Sequence, residues 1–231
     1  MNAQDRTVSF WRQVGLIAAK DIRIEGRSRV LVGQLLPFGL CVLLLFAFAL
    51  DPDRGILRRV APGLIWLAML FCTVLVCQRS QQVEQSDGAL DTVLLLGLDP
   101  AAVFVGKASA IGVVLGCVLV VLGAGGTVFF GAEPRGLGLL VAAGVPATCG
   151  LAAAGTLYGA LAGGSRARDT LLPLLLLPAV APVLIGATRA WESGLDGATA
   201  EGWRWVALLT IFAAVYIGSG ALAYGALLED P

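Results

Sequence analysis

Apolar positions gather into six runs, at residues 31–50, 60–78, 108–130, 137–162, 171–190 and 205–228. At a rise of about 1.5 Å per residue, each run reaches across a hydrocarbon core of about 30 Å. Backbone polar groups in lipid must be satisfied within the element or within a closed barrel, so runs of this length predict helices. Turn residues separate them. Asp51-Pro52-Asp53 closes the first, Gly131-Ala132-Glu133-Pro134 the third, and Gly163-Gly164-Ser165-Arg166 the fourth, while Ala61-Pro62-Gly63 opens the second. The pattern predicts a single all-α integral membrane domain over residues 1–231 with six transmembrane helices.

Residues 10–29 follow a different period. Phe10, Val14, Ile17 and Ile24 recur at helical steps beside Trp11 and Ala18, while Arg12, Gln13, Lys20, Arg23 and Arg27 fill the remainder. This helix is too charged to cross a membrane. It either lies along the interface, with its basic side chains reaching phosphate headgroups, or packs on its own protein as an ordinary surface helix. Its charges also leave no continuous apolar centre of the kind a cleavable signal needs.

Composition excludes whole classes of function. The 231 residues are 58% hydrophobic and 14% charged, where soluble domains carry about 25% charged residues. Sixteen basic and sixteen acidic residues cancel, so a basic face for nucleic acid is not expected. Histidine is absent, which removes the commonest metal ligand and proton shuttle. Cys41, Cys72, Cys77, Cys117 and Cys149 lie in apolar runs and form no ligand-spaced pair; they are expected as buried small hydrophobes rather than a metal site. The inner parts of the runs hold no ionisable residue. Lys107, Arg189 and Arg204 stand at edges, where they are expected to snorkel. No carboxylate relay of the kind an ion-driven carrier uses is present, and the glycines at 163–164 do not fit a phosphate loop. No catalytic residue is predicted and no cofactor is expected on this chain. If ATP drives it, another chain hydrolyses the nucleotide.

Small residues suggest helix packing: Gly112 with Gly116, and Gly155 with Gly159 and Gly163, repeat at four-residue spacing. Pro173, Pro178 and Pro182 make the fifth run the least regular rod expected. Six crossings put both termini on one side, together with 79–107 and 163–170. That side carries ten Lys/Arg against six on the other, which predicts a cytoplasmic location for it. Trp191, Trp203 and Trp205 on the far side suit an interfacial belt or a partner's surface.

The stretch 79–107 is the most informative. A polar helix with Glu84 is expected to end near Asp87-Gly88. Leu90, Val93, Leu94 and Leu96 then form a short apolar helix, stopped by Gly97 and Asp99-Pro100. Such a helix outside the spans suits either interfacial burial or docking to a soluble partner.

Taken together, Arg59-Val60-Ala61-Pro62-Gly63-Leu64-Ile65-Trp66, Arg79, Asp87-Gly88-Ala89-Leu90-Asp91, Leu94-Leu95-Leu96, Gly106-Lys107 and Lys20-Asp21-Ile22-Arg23-Ile24-Glu25-Gly26-Arg27 resemble the CcmB family over nearly the whole chain. In that family the chain is the permease-like subunit of an ABC complex in cytochrome c maturation. Gln81-Gln82 and Gly97-Leu98-Asp99-Pro100 depart from the family pattern.

The resemblance implies an ABC-2-like exporter permease fold in the bacterial inner membrane, with both termini cytoplasmic. It makes 10–29 a membrane elbow, carried by Trp11, Lys20, Arg23, Glu25 and Arg27. The loop 79–100 becomes a cytoplasmic coupling helix, with Arg79, Glu84, Asp87, Gly88, Leu90, Asp91 and Leu94 meeting the ATPase. Ala61, Pro62, Gly63 and Trp66 mark the second span. The implied partners are a dimeric cytoplasmic ABC ATPase holding ATP and Mg, a haem-handling multi-span protein, a small single-span protein, a haem chaperone and membrane lipids. Haem would be held by the partner subunits. The implied function is to couple ATP hydrolysis to haem handling and release of the haem-loaded chaperone. An exporter permease for a lipid, glycan or drug, or a membrane scaffold for the haem-handling subunit, would share most of these features.

Overall fold

The computed structural model describes residues 9–28, 31–50, 54–86, 98–162, 168–197 and 199–229. The described residues are all helical or turn, with no strand among them. The helices are α1 (Phe10–Ser28), α2 (Leu36–Ala49), α3 (Arg54–Ser86), α4 (Pro100–Phe130), α5 (Leu137–Ala162), α6 (Arg168–Asp196) and α7 (Thr199–Glu229), with a π-helical turn at Leu31–Leu35 leading into α2. Helices α3 to α7 each contain a stretch long and apolar enough to cross a membrane. The segment before α3 adds a sixth crossing if α1 and α2, whose axes diverge by 56°, are counted as one broken span.

The helices outrun the apolar runs that define them. Helix α3 begins at Arg54 and continues through Arg79 to Ser86, so the first part of the expected 79–100 loop is the end of a rod. Helix α4 starts at Pro100, where proline's fixed φ and missing N–H suit the first turn. Asp99 caps it by accepting from Ala101 N–H at 2.9 Å. It ends at Gly131, whose φ of 63° is left-handed and open to glycine without steric cost.

Lys107, at the edge of its apolar run, lies two turns inside α4 and is only 8% exposed, next to Gly106, over which α1 crosses. The proline-rich fifth run differs from expectation, since α6 is helical without a break through Pro173, Pro178 and Pro182. Pro182 takes away the donor for the carbonyl of residue 178 and crowds the turn before it. Next to it, the Tyr216 hydroxyl of α7 donates to the Ala179 carbonyl, which ties α7 to α6 beside the proline.

The core is made by α3 to α6 around Trp66, Met69, Leu115, Leu122, Leu151 and Leu176. Small residues set the helix spacing. A Cβ at Gly155 would overlap the Cys77 sulfur, and one at Gly159 would lie 2.6 Å from Gln81 Nε2. The α3–α5 approach thus uses the Gly155–Gly159 repeat. Gly112 is only in ordinary contact with Ala152, and nothing lies near a Cβ at Gly116, so that repeat does not mark a close approach within the chain. Gly163 lies outside the described residues. Cys72 and Cys77 are buried, as expected of small hydrophobes, whereas Cys41 and Cys117 are exposed on the outer faces of α2 and α4. Helix α7 turns Trp203, Ile211, Val215 and Leu222 outward, the face a span presents to lipid chains.

Candidate functional site

Two polar ends frame the bundle. At one end α1 lies across the first turns of α4. A Cβ at Gly106 would sit 2.8 Å from Ile17 Cβ and 3.2 Å from the Val14 carbonyl oxygen, so only glycine allows this crossing. Gln13 Oε1 accepts from Asp99 N–H at 3.0 Å. Val14 is buried and Ile17 half-buried, while Trp11, at 74% exposure, and Leu16 face outward. One face of this helix is thus seated on the protein and the opposite face is exposed.

Of the expected elbow residues, Trp11, Lys20, Arg23 and Arg27 are exposed and Glu25 is half-buried. Lys20 pairs with Asp21 at 3.2 Å. Glu25 Oε2 lies 3.5 Å from Arg79 Nε on α3, bringing an elbow residue and a coupling-loop residue into one ion pair. Arg79 Nε itself and the other carboxylate oxygen, Glu25 Oε1, are buried and have no hydrogen-bond partner of good geometry. The contact is thus electrostatic rather than a directed hydrogen bond. Gln81 is buried against Gly159 and Gln82 is exposed. Glu84 falls within the last turns of α3. Asp87, Gly88, Leu90, Asp91 and Leu94, with the short apolar helix expected there, lie outside the described residues.

At the far end, loops are tied by polar contacts. Glu133 accepts from Arg58 and from Arg135, each at 3.3 Å. Gly136 N–H donates to the Gly194 carbonyl at 2.8 Å, and Arg189 pairs with Glu192 at 2.9 Å. Between α3 and α6 a groove of about 550 Å³ opens here, lined by Arg59, Pro62, Gly63, Trp66, Thr188 and Arg189 among others. Of the four motif residues of the second span, Pro62, Gly63 and Trp66 line it, while Ala61, next to Pro62, is fully buried and does not. Trp66 stacks edge-to-face on Trp191, with ring centroids 5.5 Å apart. Trp191 is therefore core and not part of a belt, whereas Trp203 remains exposed. On the other side of this pair, an apolar crevice of about 670 Å³ runs between α4 and α5.

The groove escaped sequence reading because its walls come from residues 59–67 and 184–192, far apart in the chain. The available signal was two arginines and an unusual tryptophan pair at the ends of separate runs. Neither the α3–α6 groove nor the α4–α5 crevice is lined by Cys, Met or Tyr, and no metal-capable group of three His, Cys, Asp or Glu side chains occurs among the described residues. Histidine is absent altogether. These walls therefore do not fit an axial ligand for haem iron.

Long apolar helices, interlocking glycines and two tied ends define an all-α, multi-span membrane subunit that carries its polar groups at the bundle ends. The sequence model of the family described as CcmB protein matches residues 12–229. A protein named "Heme exporter protein B" from Shigella flexneri is 31% identical over 228 residues, covering 93% of each chain. Its namesake from Escherichia coli strain K12 is 30% identical over the same shares. That from Rhodobacter capsulatus is 32% identical over 188 residues, covering 80% of this chain and 85% of its own. The chain belongs to the CcmB family, as a membrane permease subunit.

Proposed function

We propose that this chain is the mechanical membrane subunit of an ABC-type haem-handling system. In this reading it sits in the inner membrane with both termini and the 79–107 segment in the cytoplasm. A dimeric ATPase binds the segment 87–96. The closure of that dimer on ATP is passed through the bundle to a haem-handling multi-span partner, with a small single-span protein alongside, and the haem-loaded chaperone is released. Haem travels on the partners, and ATP with Mg stays in the ATPase.

The observation that carries this reading is the continuity of α3. Its 33 residues form a rod about 50 Å long. The rod begins beside the far-end groove and ends one residue before the proposed docking segment. Arg79 ties it laterally to α1 through Glu25. A push on residues 87–96 is delivered toward the far end along one continuous helix, whose ladder lacks the donor of Pro62 near that end, instead of being absorbed in a loop. The family membership and the printed name of the relatives support haem as the cargo of the system.

Apolar anchors dominate affinity at such contacts and rim charges tune rate and register. Leu90 and Leu94 therefore carry the docking, while Glu84, Asp87 and Asp91 orient it. Replacing Leu90 and Leu94 together with Asp is expected to abolish co-purification with the ATPase or to uncouple its hydrolysis from chaperone release. Unchanged assembly with coupled turnover would overturn the proposal.

A further inference from the structure

We propose that the groove between α3 and α6 is a binding site for a single anionic phospholipid, seated with its headgroup at the far end of the bundle and its acyl chain along the helices. Three independent features converge on that class of ligand. The first is charge. The charged residues lining the groove are Arg59, Arg189 and Glu192. Glu192 is held by Arg189 at 2.9 Å, and Arg59 makes no ion pair among the described residues. One cation is thus left over at the mouth. Asp196 lines a smaller adjoining cleft that shares Arg59, Pro62 and Glu192 with the groove and adds Arg58, but it does not line the groove itself.

The second feature is an unmet hydrogen bond. Trp66 lines the groove, is 1% exposed, and its indole N–H has no acceptor. A buried donor left unpaired costs about 1–3 kcal/mol. An ester carbonyl or phosphate oxygen supplies what is missing, and a bare hydrocarbon chain does not. Thr188 adds a hydroxyl to the same wall.

The third feature is shape. From Arg59 to Leu67 the groove descends about 12 Å along α3, and its deeper lining is Leu64, Leu67, Leu184 and Ile185. A polar mouth above an apolar trough matches an amphiphile and not a small soluble anion. Pro62 and Gly63 keep the α3 wall thin, since a Cβ at Gly63 would meet nothing closer than Thr188 Cγ2 at 3.9 Å. The charge, the orphan donor and the trough all belong to one 550 Å³ space.

The test is native mass spectrometry of the full chain in detergent, with equal amounts of phosphatidylglycerol and phosphatidylcholine of matched chains. One phosphatidylglycerol retained per chain, at about tenfold preference, is expected; a tenfold preference corresponds to about 1.4 kcal/mol. Arg59→Gln, an exposed change that the fold tolerates, should remove that preference. Trp66→Phe keeps most of the ring and should weaken retention of both lipids severalfold. Equal retention of the two lipids by the parent chain, or an unchanged preference in Arg59→Gln, would overturn the proposal. So would displacement of the lipid by millimolar inorganic phosphate, which would mark the site as one for a free anion, or by haemin, which would mark it as one for another amphiphile.

Discussion

At Gly220 two effects of opposite sign meet in one side chain. Alanine in a helix is ordinarily worth about 1 kcal/mol over glycine, and Gly220 lies in the middle of α7. Yet a Cβ there would enter the ring of Phe104, which is fully buried and packed against Tyr224 with centroids 5.5 Å apart. Forcing a methyl into a filled core costs about 1–3 kcal/mol. The ring is held by Tyr224 and has little room to yield, so the overlap decides the sign. Gly220→Ala is expected to lower the unfolding midpoint in a detergent titration despite its better helix propensity. Phe104→Leu in the same chain should recover part of the loss, with a coupling of about 1 kcal/mol in a double-mutant cycle. If Gly220→Ala proves as stable as the parent chain, α7 does not approach α4 as closely as described. The same logic covers Gly106 under Ile17 and Gly126 under Ile65, where the added Cβ would lie 2.8 Å and 2.6 Å from its neighbour.

Among the elements, the meeting of α1 with α3 and α4 decides whether the amphipathic helix is part of the machine or only lies on it. The Glu25–Arg79 pair is partly exposed on both sides, so its direct contribution is at most about 1 kcal/mol. Global stability is therefore the wrong readout. Local opening is the right one, since helix ends open at far lower free energy than the core. Glu25→Arg is expected to raise amide exchange across residues 79–86 severalfold while leaving the middle of α3 protected. The exchange pattern should return when Arg79→Glu is added to it. Exchange at 79–86 that ignores both changes would separate α1 from the rod. The sequence announces these elements unequally. Six apolar runs are plain because lipid demands about 20 apolar residues in a row. The helix ends are hidden, because hydropathy reports where lipid begins and not where the hydrogen-bond ladder stops. Arg54 to Arg59 read as loop yet begin α3, the polar helix expected to end near Asp87-Gly88 is the end of that same rod, and Lys107 stands at the edge of its apolar run yet is buried. The Gly155–Gly159 spacing points to a close approach, but the same spacing at Gly112–Gly116 does not, and only the partner helix distinguishes them. The motif Ala61-Pro62-Gly63…Trp66 is visible as a string. Its role as a groove wall is not, because α6 supplies the other half.

For the whole molecule, the question is which face each end of the bundle meets, and connectivity narrows it. Helix α1 packs on the first turns of α4 and pairs with Arg79, so it belongs to the end where α3 finishes and α4 begins. Helix α2 ends at Ala49, and only four residues, 50–53, separate it from Arg54, the start of α3 at the opposite end. A helical segment that starts at Leu31 near one end and stops beside the other has crossed the bundle. Its 19 residues, 31–49, span about 28 Å, enough for a hydrocarbon core. In the proposed topology this is the sixth crossing, beside the five long apolar helices, and Lys20 and Gln82 share one face while Arg135 and Glu201 share the other. The excess of Lys/Arg is what supports a cytoplasmic location for the first face in that proposal. Single cysteines at these four exposed positions, probed with a membrane-impermeant maleimide on intact spheroplasts, are expected to label at 135 and 201 only. Positions 20 and 82 should label after permeabilisation. The natural Cys41 and Cys117 are exposed within apolar helices, so both are replaced by Ala in the parent chain before labelling. Labelling of position 20 from outside, with 82 still protected, would mean that residues 31–49 double back and that only five helices cross. Labelling of 82 from outside would invert the bundle, place residues 87–96 away from any cytoplasmic ATPase, and leave α3 with nothing to transmit.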